Sequence, residues 1–491
     1  MELKSNYDSI IIGSGAGGST LALRLSQHGW KVLVVEGGVH LTPLSRYPTE
    51  DSVGIHMKQA MAGRDLARWS VGGQTKFYGT ALYRLRESDF HSVEHENGIS
   101  PAWPISYWDL EPYYQQAEAL YRVHGSPEGD PSEPPRLWPF PHPPIPHDPI
   151  VARVVERLKA SGTSVSALPS AIDYGPDGKC VLCATCDSYY CQLDAKMDAE
   201  IAALRPALAT GNVQLAAQTE CLRVLTNDAG SGVMGIVVRQ GNIDHVVNAR
   251  VVAVSAGTEE SIVLLRRSRT GKHPEGLGNN CGCLGRYLAG HSFGTIFPLI
   301  SWQPLPPIHT KTFAMNAYHD GAPDWPYPLG VVQVAGQMPF WEDTSTLMRP
   351  AARLVGAHSL LCSYMSEALP TRDSRLVFDG ERLVGRVAPL YNMRTFDKLR
   401  RTARDMFRRA GYVTIARKQA PGLWHRVGTA RMGGDPSSSV VDTSCQVHGI
   451  DGLFVVDASV MPTAGAVNTC LTIAALALRA GDFIAGKAAA R

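Results

Sequence analysis

The chain has 491 residues, of which 44% are hydrophobic and 19% charged, and its formal net charge at pH 7 is +2. This length allows a large core and two or three domains. A charge so near zero gives no indication of nucleic acid as a partner, and no apolar run of the sequence is long enough to cross a bilayer. Because MELKSNYDSIII leads directly into a predicted strand, we expect no signal peptide and a cytoplasmic protein with reduced cysteines.

The stretch YDSIIIGSGAGGSTLALRLSQHGWKVLVVEGG (residues 7–38) predicts a strand, a tight turn, a helix and a second strand. Gly13 permits the turn, Gly15 lets the backbone approach a pyrophosphate, and Gly18 lets the helix pack closely on the strand. The N-terminus of that helix presents free N–H groups to phosphates. Glu36 ends the second strand, where a carboxylate can accept hydrogen bonds from an adenosine ribose. The motif predicts a dinucleotide site without distinguishing NAD from FAD.

Two stretches in the first half of the chain differ from their surroundings in amino-acid composition and pattern. Residues 124–149 are dense in proline, which excludes a helix or a central strand and predicts an extended surface crossing. Residues 212–257 predict several short strands, the last of which closes on Ser255-Ala256-Gly257. A β-branched strand that ends on small residues is typical of a doubly wound sheet.

The amino-acid pattern changes again in the second half of the chain. From about Ser292 to Leu423 the short alternating runs predict a separate domain with an antiparallel sheet. The C-terminal part, 424–491, again predicts a strand in GLFVVDASVMP and an apolar helix from Leu471 to Lys487. We therefore predict an α/β fold with a discontinuous, doubly wound Rossmann-like nucleotide-binding domain (1–291 and 424–491). An α+β substrate domain built on an antiparallel sheet (292–423) is inserted into it.

Several motifs together resemble one family. They are the opening fingerprint, VGGQTKFYGTALYRLRESDF (71–90), PAWPISYWDLEPYYQQAEALYRVHG (101–125) and the block WHRVGTARMGGDP to LALRAGDFI (424–484). The chain resembles the glucose–methanol–choline (GMC) oxidoreductases, FAD enzymes that oxidise alcohols, and the resemblance is weakest between residues 295 and 400. PTAGAVN (462–468) is most similar to pyranose oxidases and sugar 3-oxidases. The resemblance implies that FAD is the nucleotide.

The resemblance also implies a catalytic pair. His425 opens the H-x-x-G-T motif and corresponds to the base, while Asn468 corresponds to its partner. A neutral imidazole can accept the hydroxyl proton, and the Asn468 amide can donate a hydrogen bond to the developing alkoxide. The helix that begins near Thr469 is expected to direct its N-terminus at the flavin. We interpret His448 and His291 as structural residues of turns.

The FAD is predicted to be bound non-covalently. Some relatives attach the flavin to a histidine of the glycine-rich segment, but here Phe77 lies near that register and 72–79 contains no histidine. The glycines of this segment allow the backbone to pass close to the flavin ring. The motif and the resemblance together predict these FAD-contacting residues: Gly13, Gly15, Ala16, Gly18, Glu36, Gly72, Gly73, Thr75, Gly79, Ala256, Gly257, Asp457, Ala458 and Thr469.

Four cysteines, Cys180, Cys183, Cys186 and Cys191, form a C-x2-C-x2-C-x4-C cluster. The first two spacings match a ferredoxin-like iron–sulfur run, but the last spacing is one residue longer and no proline follows. Zinc needs four such thiolates, although its usual pattern is two separated pairs. The interpretation we favour is a structural loop near the active site without metal, as in sugar-oxidising relatives that lack a known cluster.

The predicted activity is FAD-dependent oxidation of a primary or secondary alcohol, with a carbohydrate, glycoside or aminoglycoside-type sugar as the expected substrate and oxygen or another compound as electron acceptor. Tryptophans and tyrosines between 300 and 391 could stack on a sugar ring, although for any single one of them we favour a place in the core of the sheet. They are Trp302, Tyr318, Trp325, Tyr327, Trp341 and Tyr391. The alternatives are a non-redox FAD-containing lyase, a dehydrogenase of non-sugar alcohols, and a silent flavin-binding protein. The sequence leaves the oligomeric state and the electron acceptor open.

Overall fold

The computed structural model describes residues 3–41, 70–337, 345–389, 391–416 and 422–489. Its α-helices are α1 (Ala16–Gln27), α2 (Tyr107–Leu120), α3 (Pro149–Ala160), α4 (Arg205–Ala209), α5 (Gly257–Arg267), α6 (Arg349–His358), α7 (Met393–Arg409) and α8 (Cys470–Ala489). The strands of the first half are β1 (Asn6–Ile12), β2 (Val32–Val35), β3 (Val93–His95), β4 (Gly98–Ser100), β5 (Val123–His124), β6 (Ser166–Ala167), β7 (Ser170–Ala171), β8 (Val213–Ala216), β9 (Thr219–Thr226), β10 (Val233–Gln240) and β11 (Ile243–Val254). Those of the second half are β12 (Ala289–Pro298), β13 (Phe313–Met315), β14 (Val331–Val334), β15 (Cys362–Ala368), β16 (Arg375–Asp379), β17 (Arg382–Val387), β18 (Thr414–Ala416), β19 (Gly422–Val427) and β20 (Leu453–Val455).

The first large sheet has the strand order β8-β2-β1-β11-β10-β9, with β20 also paired to β11. The pairings of β1 with β2 and β11, of β2 with β8, and of β11 with β20 are parallel. Strand β2 is the continuous apolar run VLVV, and all four of its residues are buried. Such runs are typical of parallel strands that are covered on both faces. The carboxyl ends of β1 and β11 lie side by side, which brings the turns after Ile12 and Val254 together.

The second large sheet has the order β18-β12-β15-β14-β13-β6, with β19 also paired to β12. All of its pairings are antiparallel. The amphipathic helix α7 places Phe396, Leu399 and Phe407 in a core shared with strands of this sheet. The result is an α+β layer, because the helix covers an antiparallel sheet.

The predicted fold class is confirmed. The strand, turn, helix and strand expected in residues 7–38 are β1, α1 and β2, and the apolar helix expected at 471–487 is α8. Of the proline-dense residues 124–149, the first ends β5 and the last begins α3, while the residues between them contain neither helix nor strand, as predicted. The strand expected in GLFVVDASVMP is shorter than the motif, since Asp457 accepts a hydrogen bond from the Ser459 N–H at 2.8 Å and caps a 3₁₀ turn over Ala458–Val460.

The predicted domain boundaries fall at 291/292 and 423/424. Both positions lie inside strands, β12 and β19, which pair with each other. The short strand β6, from the predicted first domain, also joins the second sheet. The division of the chain at these residues therefore stays a prediction. Among the described residues, no helix is both long and apolar enough to cross a membrane.

Candidate active site

The glycine-rich turn between β1 and α1 has the geometry that the motif predicts. Gly13 has φ +102°, and a Cβ there would lie 2.4 Å from the carbonyl oxygen of Ser255. A Cβ on Gly18 would lie 2.0 Å from the carbonyl oxygen of Gly13, so the helix packs directly on the strand. A Cβ on Gly15 would meet no protein atom within 4 Å. The turn thus leaves open space in front of Gly15 and the start of α1 at Ala16, where a ligand can approach the backbone.

Glu36 organises this turn. One oxygen of its carboxylate, Oε2, accepts hydrogen bonds from Ser14 N at 3.0 Å and Ser14 Oγ at 2.7 Å. The other oxygen, Oε1, accepts from Gly38 N at 2.8 Å. The side chain is buried and joins the first turn to the end of β2. Each carboxylate oxygen has further lone pairs, so the predicted contact with a ribose stays a prediction beside this observed structural role.

The segment 72–79 packs against the same turn. Gly72 N donates to Ser14 Oγ at 3.0 Å, and a Cβ on Gly73 would come within 3.2 Å of the Gly15 Cα. Thr75 Oγ1 donates to Gly72 O at 2.6 Å and accepts from Ala199 N at 2.9 Å. These bonds hold two glycine-rich backbones against each other. The structure therefore brings together the two segments that were predicted to contact the cofactor.

A third group of predicted cofactor residues lies where β11 and β20 end. Asp457 Oδ2 accepts from Gly257 N at 2.9 Å and from Ser261 Oγ at 2.5 Å, and its Oδ1 accepts from Ser459. Ala256 precedes α5 and Ala458 begins the 3₁₀ turn after Asp457. A Cβ on Gly257 would meet no protein atom within 4 Å. Asp457 thereby holds the ends of β11 and β20 together, and the space beside Gly257 stays free.

His425 lies on β19, where the backbone departs from regular strand geometry. Its φ is +45°, and the pairing with β12 shifts register between Ala289 and His291. Trp424 lies opposite His291 in this register, so regular alternation would turn His425 to the other face. The bulge instead brings the His425 ring to His291, with the two Nδ1 atoms 2.9 Å apart.

The interpretation of His291 as a turn residue is wrong. The residue is on strand β12, is fully buried and contacts the predicted base. Its Nε2 lies 3.0 Å from the Gly465 carbonyl oxygen and 3.3 Å from that of Ala464. The glycine before it, which suggested a turn, serves a different purpose, since a Cβ on Gly290 would lie 2.4 Å from the carbonyl oxygen of Trp424.

Asn468 is held from the second sheet. Its Oδ1 accepts a hydrogen bond at 2.9 Å from Nε2 of Gln333, a buried residue of β14. Thr469 follows, is buried, and accepts from Ile473 N at 3.1 Å as α8 begins. The segment 462–468 therefore contacts both sides of the site, through the Gly465 carbonyl to His291 and through Asn468 to Gln333.

Both histidines are held neutral. Burial lowers the pKa of His291 to about 4, despite its hydrogen bonds to the two carbonyls. Burial, together with His291 and the Lys311 ammonium, lowers the pKa of His425 to about 3. A histidine with so low a pKa is uncharged at neutral pH and has one nitrogen lone pair to accept a proton. This is the state that a general base requires.

Lys311 connects the site to the cysteine-rich loop. Its Nζ lies 2.6 Å from Asp187 Oδ1, and Asp187 Oδ2 accepts from Gly336 N at 2.7 Å. A Cβ on Gly79 would lie 1.8 Å from the Asp187 carboxylate and 2.2 Å from Lys311 Nζ. The ion pair therefore covers the end of the 72–79 segment at a position that only glycine leaves free.

The cysteine-rich loop (180–191) is fastened by backbone contacts. The buried Lys196 ammonium donates to Cys186 O at 2.6 Å and to Tyr78 O at 2.9 Å. His309 Nδ1 lies 3.1 Å from Cys183 O. All four cysteines of the cluster are free thiols, and within the described part of the chain no three Cys, His, Asp or Glu side chains are grouped so that they could hold a metal ion.

Sequence reasoning missed four side chains of this site: His291, Lys311, Gln333 and Trp424. Trp424 is the first residue of the block WHRVGTARMGGDP, which could have marked it, whereas no local motif marks His291, Lys311 and Gln333. Trp424 is 53% exposed and its ring lies 4.8 Å from that of Phe293, at 33°. Of the aromatic residues that were predicted to stack on a sugar, Tyr318 and Trp325 pack against the core of the second sheet, and Trp341 lies outside the described residues.

Fold and site define a class: an oxidoreductase with a glycine-rich nucleotide-binding turn on a parallel sheet and a histidine pair on an antiparallel one. The N-terminal GMC oxidoreductase family model matches residues 7–291 and the C-terminal one residues 365–477. The chain belongs to the GMC oxidoreductase family, whose members oxidise CH–OH groups with FAD.

Individual relatives agree with this assignment. The chain is 31% identical to paromamine 6'-oxidase of Streptomyces fradiae, over 99% of this chain and 92% of the relative. It is 32% identical to 6'''-hydroxyparomomycin C oxidase of Streptomyces lividus, with the same coverage. The fold is similar to that of pyridoxine 4-oxidase from Mesorbium loti (TM-score 0.64, 19% identity, 97% of this chain and 98% of that one). It is also similar to that of an Aspergillus oryzae formate oxidase variant studied for FAD modification (TM-score 0.68, 15% identity, 99% of each chain).

The residues present fit FAD. There is free space before Gly15 at the start of α1, where a helix N-terminus stabilises phosphates, and beside Gly257 at the start of α5. The buried carboxylates of Glu36 and Asp457 fix the two turns that border this space. The chain's own hydrogen bonds thus form a nucleotide cradle that a side chain at either glycine would fill.

Proposed function

We propose that the chain oxidises a hydroxyl group of a sugar or aminoglycoside-type sugar to a carbonyl, with His425 as the base and Asn468 as its partner. The observation that carries this proposal is the half-buried His425 imidazole, whose Nδ1 lies 2.9 Å from that of His291, a residue that in turn contacts two carbonyl groups of the PTAGAVN segment. The two Streptomyces relatives, whose names specify aminoglycoside oxidation, support the sugar as substrate.

The residues perform separate tasks in this reaction. His425 takes the proton of the substrate hydroxyl, so the O–H bond breaks and an N–H bond forms on the imidazole. The Asn468 amide, whose oxygen is bound by Gln333, has its N–H groups left to donate to the developing alkoxide. FAD bound by this site would supply the acceptor for the hydride of the same carbon.

The predicted cofactor contacts are part of this proposal. Gly13, Gly15, Ala16 and Gly18, with Glu36, would hold the adenosine and pyrophosphate, while Gly72, Gly73, Thr75 and Gly79 would pass along the ring system. Ala256, Gly257, Asp457, Ala458 and Thr469 would complete the cradle. We propose non-covalent binding, because Phe77 lies near the register of the attachment histidine and its side chain has no nucleophilic atom. The ten free thiols support a cytoplasmic location.

Trp424 supports a ring-shaped substrate. Its exposed indole lies next to His425 along the chain and shares a face of the sheet with His291. Aromatic faces pack against the apolar C–H faces of sugar rings, and the stacked Phe293 keeps the indole in place. This arrangement provides a platform beside the base.

The test is anaerobic mixing of the flavin-loaded enzyme with paromamine, simple pyranosides, fructose and small acyclic alcohols, followed by flavin absorbance. We expect bleaching with the amino sugar or a pyranoside. His425→Ala should keep its FAD and reduce it at least about 100-fold more slowly. His448→Ala is the matched control, since that side chain only contacts Ser439 Oγ at 2.9 Å. Bleaching by acyclic alcohols alone would overturn the sugar assignment, and an unchanged rate in His425→Ala would overturn the base.

A further inference from the structure

The two rings of the His291–His425 pair constrain each other's protons. Their Nδ1 atoms lie 2.9 Å apart, a hydrogen-bond distance. A hydrogen bond needs one donor and one acceptor, so one Nδ1 carries a proton and the other presents a lone pair. The other contacts of the buried His291 ring determine which of the two Nδ1 atoms carries the proton.

The Nε2 atom of His291 must be a donor. It lies 3.0 Å from Gly465 O and 3.3 Å from Ala464 O, and carbonyl oxygens only accept hydrogen bonds. A neutral imidazole has a single N–H, and burial keeps His291 neutral. Its Nδ1 therefore has the lone pair, and the donor in the contact is Nδ1–H of His425.

We propose that His291 is a positioning residue that fixes the tautomer of His425, so that Nε2 of His425 has the lone pair that takes the substrate proton. The proposal rests on the proposed function only for the identity of that proton. The chain of bonds runs from two backbone carbonyls through one imidazole to the next. The carbonyls belong to PTAGAVN, the segment that also contains Asn468. The segment that contains the partner of the base therefore also fixes the orientation of the base.

The groups around the two histidines leave His291 as an uncharged hydrogen-bond acceptor for His425. Glu367 lies opposite His291 in the sheet, but its carboxylate oxygens lie 2.8 Å from Ser100 Oγ and 3.4 Å from His95 Nε2. Lys311 lowers the pKa of His425, and His319 lowers that of His291. A catalytic histidine backed by a carboxylate is stabilised as the imidazolium. Backed by a neutral imidazole, His425 is oriented without that stabilisation and releases its acquired proton readily.

Two substitutions separate the acceptor from the bulk of the ring. His291→Asn places an amide oxygen near the position of Nδ1 and keeps an acceptor for His425, whereas His291→Leu removes it. His273→Leu is the matched control, because His273 is also buried and bonds through Nε2 to a backbone carbonyl, Gly230 O at 2.8 Å. His273 lies outside the site, so its loss tests the effect of removing a buried imidazole alone.

The decisive experiment is ¹⁵N NMR of the oxidised, flavin-bound enzyme labelled at histidine, with His425 assigned by substitution. At pH 7 we expect a protonated Nδ1 and an unprotonated Nε2 on His425. His291→Leu should show both tautomers and reduce its flavin at least about tenfold more slowly with FAD content unchanged. His291→Asn should keep the single tautomer and most of the rate, and the control should equal the wild type.

The opposite result is equally clear. A proton on Nε2 of His425 in the wild type, or a His291→Leu enzyme with wild-type rate and tautomer, would overturn the proposal. If no alcohol reduces the flavin of the wild type, the proposed function fails while the NMR spectrum still decides the tautomer. If His291→Leu does not fold, the wild-type spectrum and His291→Asn suffice.

Discussion

A 2.9 Å hydrogen bond from Nε2 of Gln333 to Oδ1 of Asn468 joins the antiparallel sheet to the segment that precedes helix α8. Gln333 is on β14 of the antiparallel sheet, and Asn468 precedes the C-terminal helix α8 of the nucleotide-binding part. An amide has one oxygen and one NH₂ group, so binding the oxygen decides where the N–H groups point. A residue outside any predicted motif thus sets the direction of a predicted catalytic group.

Gln333→Leu should therefore impair turnover without releasing FAD. The Asn468 amide loses its partner and can rotate, so its N–H groups no longer point in one direction, and the lost interaction is worth about 1–2 kcal/mol. We expect flavin reduction to slow about tenfold, measured by anaerobic stopped-flow. Gln303→Leu is the control, because Gln303 is exposed. An unchanged reduction rate in Gln333→Leu would show that the bond has no part in orienting Asn468.

The acid side of the pH profile tests the Lys311 interaction. The pKa of His425 is lowered to about 3, so the base stays neutral as the pH falls, and flavin reduction should not decline between about pH 8 and 5. Lys311→Met removes a cation and raises the pKa of His425, which should move the acid limb to higher pH. The double variant with Asp187→Asn avoids leaving a buried carboxylate unpaired.

The control for this experiment is Lys398→Met, which breaks an ion pair with Asp324 on the surface of α7. It should leave the pH profile of the wild type unchanged. A wild-type acid limb near pH 6.5, the ordinary value for histidine, would contradict the lowered pKa of His425.

Gly15→Ala should separate cofactor binding from folding. The added Cβ meets no protein atom within 4 Å, and the backbone φ of −70° suits any residue, so the apoprotein should melt within a few degrees of the wild type. The methyl group projects into the cradle, and we expect FAD affinity to fall at least about tenfold, measured by titration of the apoprotein. Gly486→Ala, on α8 and equally free of neighbours, should bind FAD normally. Wild-type affinity in Gly15→Ala would place the pyrophosphate elsewhere.

Trp424→Ala tests the proposed platform for a sugar ring. Loss of stacking should raise the KM for pyranosides by about 3- to 10-fold and leave small acyclic alcohols nearly unaffected. Trp424→Phe keeps an aromatic face and should retain most of the affinity. Trp302→Ala is the control, since the Trp302 side chain is fully exposed. Equal effects on cyclic and acyclic alcohols would show that Trp424 acts through the position of His425 rather than on the ring.

Local sequence signals accounted for part of this molecule. The turn at Gly13, Gly15 and Gly18 was predictable because short-range sterics dictate it, and the elements β1, α1 and α8 followed from hydrophobic periodicity. His291 was misjudged because the glycine before it was taken as a turn signal. In the structure that glycine leaves room for the carbonyl group of Trp424 on the neighbouring strand. His425 on that strand is 134 residues from His291 in the sequence, so no local pattern encodes the contact.

Other parts of the site depend on contacts that no local pattern encodes. Gln333 and Lys311 reach the site through strand pairing and a loop contact, and their types, amide and ammonium, are common on protein surfaces. The contact of Glu36 with a ribose stays a prediction, and its bonds to Ser14 and Gly38 could not be read from spacing. Sequence spacing indicates which residues share a turn. How many lone pairs of the Glu36 carboxylate already accept hydrogen bonds from the protein depends on the folded geometry.

The bulge at His425 makes the number of residues in β19 as important as their identity. Deleting Arg426 would restore strict alternation and turn His425 to the face opposite Trp424 and His291. Substitution at position 424 leaves that count intact. We therefore expect substrate preference to change with substitution at position 424, and turnover to be lost on an insertion or deletion in the same six-residue strand. Libraries that aim at new sugars should vary composition here and keep length fixed.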